Sequence, residues 1–267
     1  MVYCTPPRPL PGREREPKPP GSETINAPSS ITTYWDRSRW PLQSLYFLLP
    51  LLVVYEVGAL TLLSEQQLTA TRLLGQFFAL FGVTGVHLPA IAVVGALLGM
   101  HIVRKKDPWL PELKLYPVMW GESLVLALPL FVLMTVLLRE PVAAASFDHV
   151  DWGLWRRDMV IAIGAGVYEE LVFRLVAIAA IHAITKDLLS LPEEVCVISA
   201  VAISSLGFAL VHFLGDHNPF TMTKMLFYTV AGVYFAAIYL TRGFGIVVAA
   251  HALYDVLVFT KLAMARG

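Results

Sequence analysis

The chain has 267 residues, of which 57% are hydrophobic and 15% charged, with a mean hydropathy of +0.64 and no net charge. Soluble domains carry about 25% charged residues, so the composition excludes a soluble globular protein and indicates a multi-pass membrane protein. Charge neutrality gives no electrostatic footprint for a nucleic-acid partner. The two cysteines, Cys4 in a polar tail and Cys196 in an apolar run, suggest no disulfide.

Residues 1–30 are polar and proline-rich and cannot bury a core, which predicts a disordered tail. The tail has no apolar h-region, so no cleavable signal peptide is expected. Residues 31–41 carry Tyr34, Trp35 and Trp40 and suit the headgroup level of a bilayer. Apolar runs near 20 residues then predict seven spans. These are Leu42 to Leu63, about Val86 to Val103, Pro117 to Leu138, Met159 to Thr185, Val195 to Leu214, Met225 to Leu240 and Gly245 to Ala263. Arg72 to Gly82 is apolar but too short to cross and is expected to be re-entrant or interfacial. Gly95 and Gly99 in the second span form a small-xxx-small face suited to close helix packing.

The expected fold is therefore an all-α transmembrane helical bundle. An amino-terminal segment, 1–40, precedes a membrane domain, 41–267. With the amino terminus inside, the inner segments hold twelve Lys and Arg against seven outside, which predicts a cytoplasmic amino terminus. The expected location is a bacterial cytoplasmic membrane.

The stretch GAGVYEELVFRLVAIAAI, residues 164–181, places Glu169, Glu170 and Arg174 inside an apolar span. Each central charge costs roughly 2.5–3.5 kcal/mol to insert, so these side chains should face the bundle interior. Glu170 and Arg174 are four apart, share a face and can neutralise each other. Glu169 sits about 100° round the helix and has no cation in its own segment. Such a carboxylate suits a general acid or base, and interhelical glue is the competing reading. Downstream, the fifth span places Phe208 and His212 four apart, and the seventh does the same with His251 and Asp255. A Glu, two His and an Asp from three spans could activate a water or hold a metal such as zinc.

Glu169-Glu170-Leu-Val-Phe-Arg174, Phe208-Ala-Leu-Val-His212 and His251-Ala-Leu-Tyr-Asp255 together resemble the motifs of the CAAX protease and bacteriocin-processing (CPBP, Abi) family, Rce1-like. The resemblance covers about residues 155–260, with the motifs in 159–260. It implies an intramembrane endopeptidase in which Glu169 and His212 activate a water and His251 with Asp255 stabilise the oxyanion. Glu170, Arg174 and Phe208 would support the site. It also implies a peptide or protein substrate, prenylated or membrane-embedded, the bilayer as surroundings, and no cofactor. If a zinc ion were used, Glu169, His212 and His251 would be its ligands.

One departure matters. The family's usual fourth residue is Asn, where this chain has Asp255. An ionised Asp cannot donate to an oxyanion. Asp255 could be protonated, could orient His251, or could favour a metal. Depth is a second difficulty. The span limits put His212 near the outer end of its helix and His251 near the inner end of its own, so straight, full-length spans would keep them apart. Serine and HExxH zinc signatures are absent, and an aspartyl pair occurs only in reversed order. A non-catalytic scaffold and a proton-coupled carrier are the alternatives. Among other ionisable residues, Glu122 and His101 are expected at the interface and His182 in a structural role. Asp216 and His217 are expected in a solvated loop.

Overall fold

The computed structural model describes residues 30–62, 88–104, 107–138, 150–214 and 219–266. The predicted tail up to residue 29, the Arg72 to Gly82 segment, Asp216 and His217 lie outside the described residues. Within them every regular element is helical. In chain order these are α1 (Ser30–Arg37), α2 (Pro41–Leu62), α3 (Leu88–Arg104), α4 (Tyr116–Leu137) and α5 (Trp152–Glu170). A π-helical stretch, Leu171–Ala177, continues α5 into α6 (Ile178–Ala183), and a second, Ile184–Leu188, follows. The junction residues Leu171, Ile178 and Ile184 all keep right-handed helical angles, so 152–188 is one unbroken rod. Then come α7 (Glu193–Val211), α8 (Met222–Arg242) and α9 (Phe244–Arg266).

Five helices are long and apolar enough to cross a membrane: Pro41–Leu62, Tyr116–Leu137, Glu193–Val211, Met222–Arg242 and Phe244–Ala265. The rod 152–188 contains the predicted span Met159 to Thr185, and α3 contains a shorter apolar run, Ala90–Arg104. The outward faces carry exposed Val53, Leu60, Ile91, Val125, Val132, Ile198 and Leu206. In water such faces would be an aggregation liability. In a bilayer they match the solvent.

The sequence sets the ends of these helices locally. Asp151 caps α5 by accepting from the amides of Gly153 and Leu154, and Thr221 caps α8 by accepting from the Lys224 amide. Such caps satisfy amides left without intrahelical partners. α8 ends at Gly243, whose φ of +85° is a backbone state open to glycine. Its amide donates to Tyr239 O at 2.9 Å. The chain turns there in one residue, and α9 returns beside α8.

α9 is the centre of the bundle. It packs most extensively on α5 and α4, and also on α2 and α8. Ile246 to Ala250 are wholly buried, as expected of a helix apolar all round. Two glycines let helix backbones approach closely. A Cβ at Gly166 of α5 would lie 2.7 Å from the Ala252 amide nitrogen of α9, and one at Gly232 of α8 would lie 2.9 Å from Ser205 Cα of α7. At the small-residue face of Gly95 and Gly99 a Cβ would meet no described residue within 4 Å. α3 contacts its neighbour α2, and its fully buried residues are Val93 and Leu97.

A polar clamp closes one end of the bundle. Arg242 Nη2 donates to Glu122 Oε2 at 2.8 Å and to Ser38 Oγ at 3.1 Å, and its Nε pairs with Glu122 Oε1. Its guanidinium lies 3.6 Å over the Trp35 ring. Tyr34 Oη donates to Glu122 Oε2 at 2.5 Å. Burial, then the bond to Glu122, holds the Tyr34 hydroxyl well above the usual tyrosine range. α1 is thus docked on the bundle. Glu122, expected at the interface, is the partly exposed anion that pairs with the buried Arg242. A cavity of about 530 Å³ beside this clamp is lined by Arg39, Arg104, His182, Leu240 and Gly243, among others. α1, the end of α3, the far part of the rod and the α8–α9 turn therefore meet at one end. His182 bonds Glu193 at 2.9 Å, the structural role expected of it.

Candidate active site

All the motif residues converge. Glu170 and Arg174 lie one turn apart on the rod, with Arg174 Nε 3.1 Å from Glu170 Oε2, and both side chains are 0% exposed. The pairing read from their spacing is thus present. Glu170 has a further partner: His251 Nδ1 lies 2.7 Å from its Oε1. Only a protonated Nδ1 can bond a carboxylate, so this nitrogen is the donor. Arg174 Nη2 donates to Gly232 O at 3.1 Å, and its guanidinium lies 4.4 Å over the Phe208 ring. The π-helical stretch carrying Arg174 is braced by Ser204 Oγ, which donates to Phe173 O at 2.5 Å.

Glu169 points elsewhere. Its Oε2 lies 3.9 Å from His212 Nε2 and 3.9 Å from His251 Nε2. His212 Nδ1 is 2.8 Å from Phe208 O. A carbonyl only accepts, so Nδ1 carries a proton and the neutral ring has its lone pair on Nε2, towards Glu169. Asp255 Oδ2 lies 3.5 Å from His251 Nε2. Side-chain exposure splits the cluster into two layers. Glu170 and Arg174 at 0% and His251 at 4% are sealed, while Glu169 and Asp255 at 17% and His212 at 23% are open. Of the roles left open for Asp255, holding His251 by Nδ1 is already filled by Glu170.

The difficulty of depth is resolved by the two hairpins having their turns at different levels. The rod and α7 are joined at 189–192. Glu169 and His212 each lie about 20 residues from that turn, or about 30 Å at 1.5 Å per residue. α8 and α9 turn at Gly243, and His251 is only about 12 Å beyond it by the same rise. The cavity linings show why these lengths are compatible. Gly243 and Leu240 are level with Ile178 and His182, partway along the rod, so the α8–α9 turn lies nearer the site. In addition α7 stops at Val211 with His212 as its cap, three residues short of the predicted end.

Two aromatic residues of the site were not legible as such. Tyr228 stacks on the His212 ring with centroids 4.1 Å apart, and Phe235 stacks on His251 at 4.4 Å. Phe208 touches both imidazoles, at 4.7 and 5.9 Å. Only the seven-residue spacing of Tyr228 and Phe235 on one apolar helix could have flagged them.

Glu169, His212 and His251 suit zinc in kind, and His251 has the carboxylate partner common behind a metal-bound histidine. Their spacing does not suit it. Donors around a tetrahedral ion with bonds of about 2.0 Å lie about 3.3 Å apart, against 3.9 Å here. Among the described residues no group of three or more His, Cys, Asp or Glu is arranged to hold a metal. No step below is routed through one.

The fold and site define an integral membrane protein with a carboxylate–imidazole centre inside a helical bundle. Residues 151–257, less than half of the chain, match the family model described as type II CAAX prenyl endopeptidase Rce1-like. The resemblance read from the three motifs is thereby shown for the segment that carries them. No curated protein and no solved structure matches the chain.

Proposed function

We propose that the chain is an intramembrane endopeptidase that hydrolyses a peptide bond in a lipid-anchored or membrane-associated substrate. The observation that carries this reading is the pair of 3.9 Å separations from Glu169 Oε2 to the two imidazole Nε2 atoms. They are too long for direct hydrogen bonds and wide enough for one water oxygen to be shared. The match of residues 151–257 to an endopeptidase family supports it.

In this mechanism His212 Nε2 accepts a hydrogen bond from the water and orients it. Glu169 takes a water proton as the water oxygen attacks the substrate carbonyl carbon. The carbonyl oxygen becomes the anion of a tetrahedral intermediate. In this step His251 is the imidazolium, its Nδ1–H bonded to Glu170 and its Nε2–H donating to that oxygen, and protonated Asp255 is the second donor. The C–N bond then breaks, and the proton held by Glu169 passes to the leaving amine. These steps draw on side chains alone and need no cofactor. The excess of Lys and Arg in the segments read as inner supports an amino terminus on the cytoplasmic side.

The test compares wild type with Glu169→Gln in liposomes against lipid-anchored and membrane-spanning peptides. Products are read by mass spectrometry, with thermal unfolding as the fold control. The expected result is cleavage by wild type alone at equal stability. A chelator added to the active assay should leave the rate unchanged. Equal cleavage by both proteins would remove Glu169 from the chemistry. No cleavage by either, with a large loss of stability in the variant, would favour the scaffold or carrier.

A further inference from the structure

Each site histidine has one nitrogen tied down. His212 Nδ1 bonds Phe208 O, and His251 Nδ1 bonds Glu170. One hydrogen bond fixes where that nitrogen points. A tilt of the ring about that bond would move Nε2, the atom facing Glu169. Geometry at a reacting centre tolerates little of this, since a misplacement of about 1 Å can cost about 100-fold in rate.

Both tilts are blocked from one helix. α8 carries none of the three motifs. Tyr228 lies nearly parallel to His212, with an interplanar angle of 27°, and Phe235 nearly parallel to His251, at 19°. Gly232 lies between them, and its carbonyl accepts from Arg174 Nη2. Positions 228, 232 and 235 are i, i+4 and i+7, so they lie on one helical face. α8 also lies close against α7 at Gly232, since a Cβ there would meet Ser205 at 2.9 Å. The absent side chain lets both rings reach the site.

We propose that α8 fixes the planes of both site imidazoles, with Tyr228 and Phe235 as positioning residues that act through His212 and His251. The role is assigned to the Tyr228 ring, the part that stacks on His212. The claim about ring positions stands on geometry alone, and its effect on turnover rests on the proteolytic reading.

The experiment uses the full chain in nanodiscs with labelled histidine, and signals are assigned by His212→Gln and His251→Gln. A proton over an aromatic face is shifted upfield by the ring current. Tyr228→Leu should shift the His212 signals downfield and Phe235→Leu the His251 signals, whereas Tyr228→Phe should leave them near their wild-type positions. On the peptide cleaved best in the assay above, Tyr228→Leu should lower kcat about 10- to 100-fold with KM nearly unchanged, and Tyr228→Phe should restore most of it. Phe227, one residue along and buried, touches Tyr228 and Tyr254 and is the control. Phe227→Leu should lower the Tm without moving either histidine or kcat.

Unmoved His212 signals in Tyr228→Leu would overturn the proposal. So would rates that follow Tm alike in the Phe227 and Tyr228 variants. If the wild type cleaves none of the peptides, the proteolytic reading fails, and the histidine signals alone decide whether α8 holds the rings.

Discussion

Two buried clusters of opposite charge lie in this bundle, and they are built differently. In the clamp, Arg242 uses Nε, Nη1 and Nη2 on Glu122, Trp35 O and Ser38, and sets its flat face on Trp35. Both oxygens of Glu122 accept, one of them also from Tyr34. In the candidate site, Glu169 Oε2, Glu170 Oε2 and Arg174 Nε and Nη1 have no aligned hydrogen-bond partner among the described residues. Buried polar groups are normally satisfied, and exceptions call for a reason. A saturated cluster holds helices together. In the unsaturated one Glu170 and Arg174 are sealed, and Glu169 Oε2 is the unsatisfied atom on a partly exposed side chain. The two clusters differ in saturation.

Breaking each cluster should therefore give opposite results. The largest effect expected is on turnover: Glu169→Gln should lower kcat by about 10²- to 10⁴-fold, the usual contribution of a general base, with Tm unchanged. Kinetics and scanning calorimetry on the same preparation would check it. Loss of stability equal to loss of activity would put Glu169 in the same category as Arg242. Arg242→Met should do the reverse. Removing one partner of a buried pair costs about 3–5 kcal/mol, so chemical unfolding should show a loss of that order. Turnover per folded molecule should stay near wild type, and a loss beyond the folded fraction would tie the clamp to the chemistry.

A smaller effect sharpens the comparison inside the site. Asp255→Asn keeps the shape and supplies a neutral donor, so it should retain turnover and remove whatever pH dependence arises from protonating Asp255. Asp255→Leu should lose roughly the 100-fold typical of one oxyanion donor. The rate–pH profiles of the two variants decide. An inactive Asn variant would show that the carboxylate itself is needed.

Much of this was legible in the chain. The three motifs could be read because a charge inside an apolar run is costly, and i, i+4 spacing assigns faces without a structure. The Glu170–Arg174 pair follows from that spacing alone. Three other features did not follow. Which glycines meet another helix depends on rotation about the helix axis, so Gly95 and Gly99 looked like packing residues and Gly166 and Gly232 did not stand out. Relative depth depends on where each turn falls. The one-residue turn at Gly243 lies closer to the site than the turn at 189–192, which run lengths cannot express. The roles of Tyr228, Phe235 and Glu122 are contacts across 16 to 120 positions of sequence, and nothing local marks them.

The smallest effect concerns a charge that belongs to neither cluster. Asp151 sits at the exposed start of α5, outside the spanning segments, and accepts from two backbone amides. The Leu154 amide first, and that of Gly153 second, hold its carboxyl below its ordinary value. A group depressed on folding adds stability above its unfolded pKa, about 3.9 for Asp. That stability is lost as pH falls through the lower folded value. Asn is nearly as good a cap and does not titrate. The Tm advantage of wild type over Asp151→Asn should therefore be small and constant from pH 7 to 5, and shrink towards pH 3. A calorimetric series across that range measures it. An advantage that grew on acidification would have the wrong sign for a depressed carboxyl and would place the acid sensitivity of α5 elsewhere on the helix. On the proposed mechanism Glu169, inside the bundle, would govern turnover, whereas Asp151 would govern only how firmly the rod that carries Glu169 begins.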